Sequence, residues 1–315
     1  MPLFFLLSGM TTKLSLDADQ FLNRTGKSFR RLIIPALITY FFICIGNLVR
    51  YGMDTGLKQY FADRINAMVY FSGDAVVSVN APAVGAVWFL VALFFGRTFY
   101  DYLALRFNRN VLYAVCVIGA CGGLCFAKIQ WLPFSFDVVL VIMPFIMMGQ
   151  LAREKLLTPD ADSNNALINR IRSKNQPVIL SVICIFLAVL WAVLFLFIYK
   201  SSGQYFELAI RRYPFPLLSY LCAFLGIAAA CTASALIVHL KHISRALIYL
   251  GNQSMVVYLI HVVDGWWVSL WGTSPNVGVR IILRTVIDLC LTVIIIIVIN
   301  KIKNYRRRKD AISHE

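Results

Sequence analysis

An all-α, polytopic bundle of membrane-spanning helices is the fold class predicted by three observations. Helix-length apolar runs recur along the chain, the loops between them alternate in Lys and Arg content, and the composition is too apolar for a water-soluble core. Of the 315 residues, 60% are hydrophobic and 14% charged, against roughly 45–50% and about 25% in soluble domains. No long polar linker divides the chain, so residues 1–315 read as a single membrane domain that ends in a basic tail over residues 301–315.

A hydrocarbon core of about 30 Å takes roughly 20 helical residues to cross. Apolar runs of that order cover residues 32–49, 84–105, 111–127, 132–152, 178–199, 214–238, 246–264 and 281–300. They follow an N-terminal run, residues 1–10 (MPLFFLLSGM), that is too short to span, giving about 8 to 9 spans in all. Roughly two-thirds of the basic residues lie in connections 11–31, 106–110, 153–177 and 239–245 and in the tail; the alternate connections 50–83, 128–131, 200–213 and 265–280 are poorer. Retention of Lys and Arg on the inner side predicts a multi-pass protein of the cell inner (plasma) membrane with a cytoplasmic C-terminus. Met1 then starts on the outer side, which predicts one more helix upstream and ten spans in total. The polar stretch 153–177 reads as a hinge between two halves of the bundle.

The net charge of +15 is explained by the same inner-side bias, so nucleic acid is excluded as a partner and membrane lipid is expected. All eight cysteines fall inside apolar runs, where they behave as small hydrophobes. Cys116, Cys121 and Cys125 lack the His or Cys-x-x-Cys spacing of a metal site, so no metal is expected. Gly119 and Gly123 form a GxxxG helix-packing pattern. Arg97 with Asp101, and Arg284 with Asp288, are spaced i,i+4 at membrane depth, where each pair can neutralise itself. In the 246–264 run, Gly251, Ser254, Tyr258, His261 and Gly265 share one helical face and make a polar stripe. Trp88, Trp266 and Trp267 read as an aromatic belt, and Ser8 with Gly9 as helix-packing residues.

Met1–Gly9 (MPLFFLLSG), Phe29–Pro35 (FRRLIIP), Trp88–Leu93 (WFLVAL) and Leu250–His261 (LGNQSMVVYLIH), with Met143–Gly149 (MPFIMMG) as a weaker fifth, stand in order along the chain. Together they resemble the membrane acyltransferase 3 superfamily, and most closely its branch of sugar O-acetylases similar to fucose 4-O-acetylase. The resemblance covers nearly the whole chain. It implies a ten-helix bundle with both termini cytoplasmic. It also implies transfer of an acyl group, acetyl in that branch, from cytoplasmic acyl-CoA to a sugar hydroxyl on a surface or exported polysaccharide or its lipid-linked precursor. The family's essential histidine sits on the first helix and is expected upstream of Met1, because this chain begins at the second.

On this reading Arg30 and Arg31 hold the phosphates of acetyl-CoA, with Arg97 extending the positive path; taken alone, the two arginines are ordinary inner-side anchors. His261 is the candidate base for the sugar hydroxyl, with Asp264 three residues on to orient its ring, or else a satisfied histidine near the interface. Trp88, Tyr258 and Ser8 are the candidate acceptor contacts, Trp88 only through the family match. Two other readings stay open: a multispan transporter or glycan flippase, and a catalytically inactive acyltransferase relative.

Overall fold

The computed structural model describes residues 1–157, 176–267 and 277–312. Among them are eleven α-helices: α1 (Pro2–Thr11), α2 (Ala18–Thr55), α3 (Leu57–Tyr70), α4 (Trp88–Arg106), α5 (Arg109–Phe126), α6 (Phe136–Leu157), α7 (Gln176–Ser202), α8 (Pro216–Ile237), α9 (Lys241–Asn252), α10 (Ser254–Trp267) and α11 (Val277–Ile312). Among the described residues, seven segments are long and apolar enough to cross a membrane: Ala18–Leu48, Gly85–Arg106, Arg109–Phe126, Pro133–Lys155, Pro177–Ser202, Pro216–Ile237 and Ile281–Val298. The all-helical bundle class is as the sequence predicts. Side chains such as Val178, Ile185, Phe186 and Val193 on α7 stand more than half exposed, an arrangement suited to lipid and costly in water.

Two sequence expectations change. The run 246–264 is not one helix: it breaks between Asn252 and Ser254, with only Gln253 between α9 and α10. Gly251 and Asn252, residues that favour helix ends, stand at the break. The connection 50–83 is largely helical, because α2 continues to Thr55 and α3 follows after Gly56, whose φ of 78° suits glycine.

The chain packs as two compact units, Met1–Leu37 with Thr55–Leu240, and Ile38–Asp54 with Lys241–Glu315. In the first, α6 is the central helix. Val138, Val139, Val141, Ile142, Met143, Phe145 and Ile146 are all at most 1% exposed. Helix α1 crosses α6 where two glycines meet: a Cβ at Gly9 would collide with the Ile146 carbonyl, and one at Gly149 with the Leu6 carbonyl. The carbonyls at the end of α1 are satisfied by α6, Gln150 Nε2 donating to Thr12 O at 2.7 Å and Arg153 Nη1 to Met10 O at 3.4 Å. Gly123 packs on α6 in the same way, against Asp137 O, Leu140 and Val141, so the GxxxG reading of α5 is a packing contact.

Helices α7 and α8 pair through Gly226 seated on the Trp191 indole, and Cys184 Sγ lies 3.7 Å from Ala229 O. All eight cysteines are free thiols. In the second unit, α10 packs on both α9 and α11.

Candidate active site

Arg24, Lys27, Ser28 and Arg31 recur at steps of three and four on α2, which stacks them on one face. Asp17 starts that helix firmly: its carboxylate accepts from Gln20 N at 2.7 Å through one oxygen and from Gln20 Nε2 at 2.7 Å through the other, an N-cap. Together with Thr12 and Lys13 from the α1–α2 loop and Arg97, Thr98 and Asp101 from α4, this face lines a cavity of about 250 Å³.

The wall holds five cations and one carboxylate, and the carboxylate is already engaged. Asp101, 5% exposed, accepts from Ser15 N at 2.7 Å through Oδ1 and from Ser15 Oγ at 2.7 Å through Oδ2. The expected Arg97–Asp101 interaction is through space and not a close ion pair. The carboxylate oxygens are bonded to the α1–α2 loop, and no carboxylate among the described residues forms an ion pair with Arg97. Arg24 Nη1 donates to Lys13 O at 2.6 Å and fixes the same loop from the other side. The Ser28 hydroxyl is buried with no hydrogen-bond partner among the described residues.

Unit charges 4 Å apart at an effective dielectric near 20 interact by about 4 kcal/mol. Five cations facing one hollow therefore repel one another and favour an anion between them, and guanidinium forks match phosphate oxygens two at a time. A buried hydroxyl without a partner adds a donor for the same anion.

Of the three arginines singled out in the sequence, Arg31 and Arg97 line this cavity. Arg30 does not; it lies one residue off the stripe and is exposed. Lys13, Arg24 and Ser28 were missed, although the spacing of Arg24, Lys27, Ser28 and Arg31 was legible as a helical face.

Trp88 lies at the start of α4 and is 1% exposed. Its indole sits over Gly73, with no room there for a Cβ, and packs edge-on against Phe89 at 6.2 Å. It belongs to the core and not to an aromatic belt, and it offers no open face for stacking a sugar. Ser8 is also buried, 8% exposed; its hydroxyl has no partner among the described residues, while its carbonyl accepts from Thr12 Oγ1 at 2.6 Å.

The sequence motifs in the first unit are neighbours in space. Phe89 of WFLVAL packs on Phe4 and Phe5 of MPLFFLLSG at 5.7 and 5.1 Å. Phe29 of FRRLIIP meets Phe94 at 5.8 Å, and MPLFFLLSG crosses MPFIMMG at the two glycines. Pro35 in FRRLIIP and Pro144 in MPFIMMG both sit inside helices, where each removes one backbone donor.

The remaining motif lies in the second unit. His261 on α10 places Nδ1 at 3.1 Å from Asp288 Oδ2 on α11. The imidazole side chain is 57% exposed and the carboxylate 14%. A carboxylate on one ring nitrogen orients the ring and leaves Nε2 to exchange protons. Asp288, expected to pair with Arg284 in its own helix, thus also reaches His261. Asp264, expected in that orienting role, is on α10, but its side chain lies outside the described residues, as do those of Trp266 and Trp267. Tyr258 stands one turn before His261 and is half-buried. Gly251 falls on α9, so the polar stripe is shorter than expected.

A further charged cluster went unread in the sequence. Arg211 Nη1 donates to Gln130 O at 2.7 Å and lies 3.0 Å from Asp137 Oδ2, with its guanidinium 3.8 Å from the Trp131 ring centre. Asp137 is fully buried and Arg211 nearly so, so the pair ties the connection before α8 to the start of α6. Beside it the Tyr213 phenol, pushed far up by burial, stays neutral. No group of three or more His, Cys, Asp or Glu able to hold a metal occurs among the described residues.

Neither a curated protein nor a solved structure matches the chain. A family model described as an acyltransferase domain matches residues 1–301. An all-helical bundle with seven candidate spans, a cation-lined cavity and a His–carboxylate pair therefore carries the sequence pattern of that family over nearly its full length, and the chain belongs to the membrane acyltransferase 3 superfamily.

Proposed function

We propose that the chain is an integral membrane O-acyltransferase that moves an acyl group, acetyl in the simplest case, from acyl-CoA to a sugar hydroxyl of a surface or exported polysaccharide or its lipid-linked precursor. The observation that carries this reading is the cavity in which Lys13, Arg24, Lys27, Arg31 and Arg97 face one another around the unpartnered Ser28 hydroxyl. A phosphate-rich donor suits it, and the family supplies the acyl chemistry. The cavity is sized for the phosphate groups of such a donor, not for the whole molecule. The cation-rich side is the cytoplasmic one on this reading, with the C-terminus there too, in the cell inner membrane.

Of the histidines in this sequence, His261, with Asp288 on its Nδ1, is the candidate base for the acceptor hydroxyl. Nε2 takes the proton of the acceptor hydroxyl, the freed oxygen attacks the thioester carbonyl carbon, and the C–S bond breaks to release CoA, whose thiolate recovers a proton. Tyr258, one turn away, contacts the acceptor.

Titration of CoA and acetyl-CoA into the full chain in lipid nanodiscs tests the donor half. Arg31→Ala with Arg97→Ala is expected to weaken binding at least tenfold, while His261→Ala leaves binding intact and abolishes transfer. A protein that binds neither nucleotide would refute the proposal.

A further inference from the structure

Helix α9 is twelve residues long, about 18 Å at 1.5 Å per residue, and so cannot cross a bilayer. Its sides differ sharply. Ile243, Ala246, Leu247 and Leu250 recur at i, i+3, i+4 and i+7 and form one apolar stripe. Lys241, Arg245 and Asn252 occupy the opposite side, His242, Ser244 and Tyr249 lie on the border, and Ile248 is the one large apolar residue off the stripe. Residues 241–252 contain no acidic residue.

No residue of α9 is buried; Ile243 is 52% exposed and Leu247 47%. Only residues 238–240 separate it from the candidate span Pro216–Ile237, so the chain has no slack in which α9 could leave the membrane surface. A short, basic, amphipathic helix tied to the end of a span has one natural solvent, the boundary between headgroups and acyl chains.

We propose that α9 lies in the plane of the membrane interface, with the Ile243–Leu247–Leu250 stripe in the acyl boundary and Lys241 and Arg245 on the phosphates of anionic lipids. The occupant of the apolar face is lipid and not another protein surface. Charge complementarity favours it: the helix carries two fixed cations and no carboxylate. Helix α9 then acts as a surface anchor for α10, which begins one residue later and carries His261. Seven residues of helix separate Ser254 from His261, about 10 Å along the axis.

The test uses the full chain in lipid nanodiscs, with native cysteines replaced and the helical circular dichroism of the wild type retained. Nitroxide labels are placed at Leu247→Cys on the stripe and Asn252→Cys opposite. Collision with dissolved oxygen is expected to dominate at position 247, and collision with a water-soluble nickel chelate at position 252. Position 247 open to nickel would put the helix in water, and position 247 shielded from both reagents would mean a protein cover; either result overturns the proposal. In anionic nanodiscs, Lys241→Gln with Arg245→Gln is expected to make position 247 measurably shallower, whereas in zwitterionic ones the substitutions should leave it unchanged. An equal effect in both lipids, or none in either, would remove the anionic headgroups from the proposal. The outcome is independent of whether the cavity on α2 binds acyl-CoA.

Discussion

Replacing Asp101 separates its two tasks, fastening the α1–α2 loop and placing a negative charge in the wall of a cationic cavity. Both carboxylate oxygens are 2.7 Å from Ser15 donors and the residue is 5% exposed. A hydrogen bond to a charged acceptor contributes about 1.5–3 kcal/mol, so Asp101→Ala should cost about 3–6 kcal/mol. Asn at this position keeps an acceptor for Ser15 N, and its amide can donate to the Ser15 hydroxyl, which rotates to receive it; the expected loss is about 1 kcal/mol. For acyl-CoA the wild type and the Asn variant draw level or exchange places, while Ala stays last. Asp101→Asn removes a negative charge from the wall and should bind as well as the wild type or a few-fold tighter. Asp101→Ala releases the loop that carries Lys13 and should bind several-fold more weakly. Chemical unfolding followed by tryptophan fluorescence, with nucleotide titration on the same preparations, measures both. An Asp101→Ala protein as stable as wild type, or an Asn variant that binds more weakly than the Ala variant, would refute this role.

The crossing of α1 with α6 leaves no space for a side chain at Gly9 or Gly149, so Gly9→Leu should sharply lower the yield of folded protein from membranes, while Gly122→Leu, which meets nothing within 4 Å, should not. Arg211→Ala leaves the Asp137 carboxylate buried without its cation and should cost about 3–5 kcal/mol in unfolding measurements; a double change with Asp137→Asn should recover part of that loss. Asp288→Asn should lower acyl transfer by about ten- to a hundredfold, less than the loss of a general base, which is about 10²–10⁴-fold, with acetyl-CoA affinity unchanged in a nucleotide titration.

Periodicity and charge bias alone reveal the helical membrane class, because spans must be apolar over a length set by the bilayer. Seven of the eight expected spans have counterparts among the seven candidate segments. The eighth fails at Gly251 and Asn252, where two end-forming residues outweigh an otherwise continuous apolar run. Arg31 and Arg97 could be picked out because a family motif and membrane depth mark them. Arg24 was legible as part of the face with Lys27, Ser28 and Arg31, but Lys13 was not, since its place in the cavity depends on a loop fold decided by Asp101 and Ser15, residues 86 apart in sequence. The pairing of His261 with Asp288 is hidden for the same reason. The nearer Asp264 is the natural choice along the chain, whereas Asp288 arrives from another helix. Trp88 misled through its position: a tryptophan at the start of a span suggests an interface belt, yet Gly73 and Phe89 enclose it.

Arginine footprinting by mass spectrometry, with a dicarbonyl reagent and with or without acetyl-CoA, tests the cavity most directly because the chain carries its own control. Arg31 and Arg97 line the hollow, whereas Arg30, adjacent in sequence and exposed like Arg31, is not among its lining residues. Acetyl-CoA is expected to protect Arg31 and Arg97 and to leave Arg30 reactive. Equal protection of all three, or of none, would contradict a phosphate-binding cavity built on this face of α2.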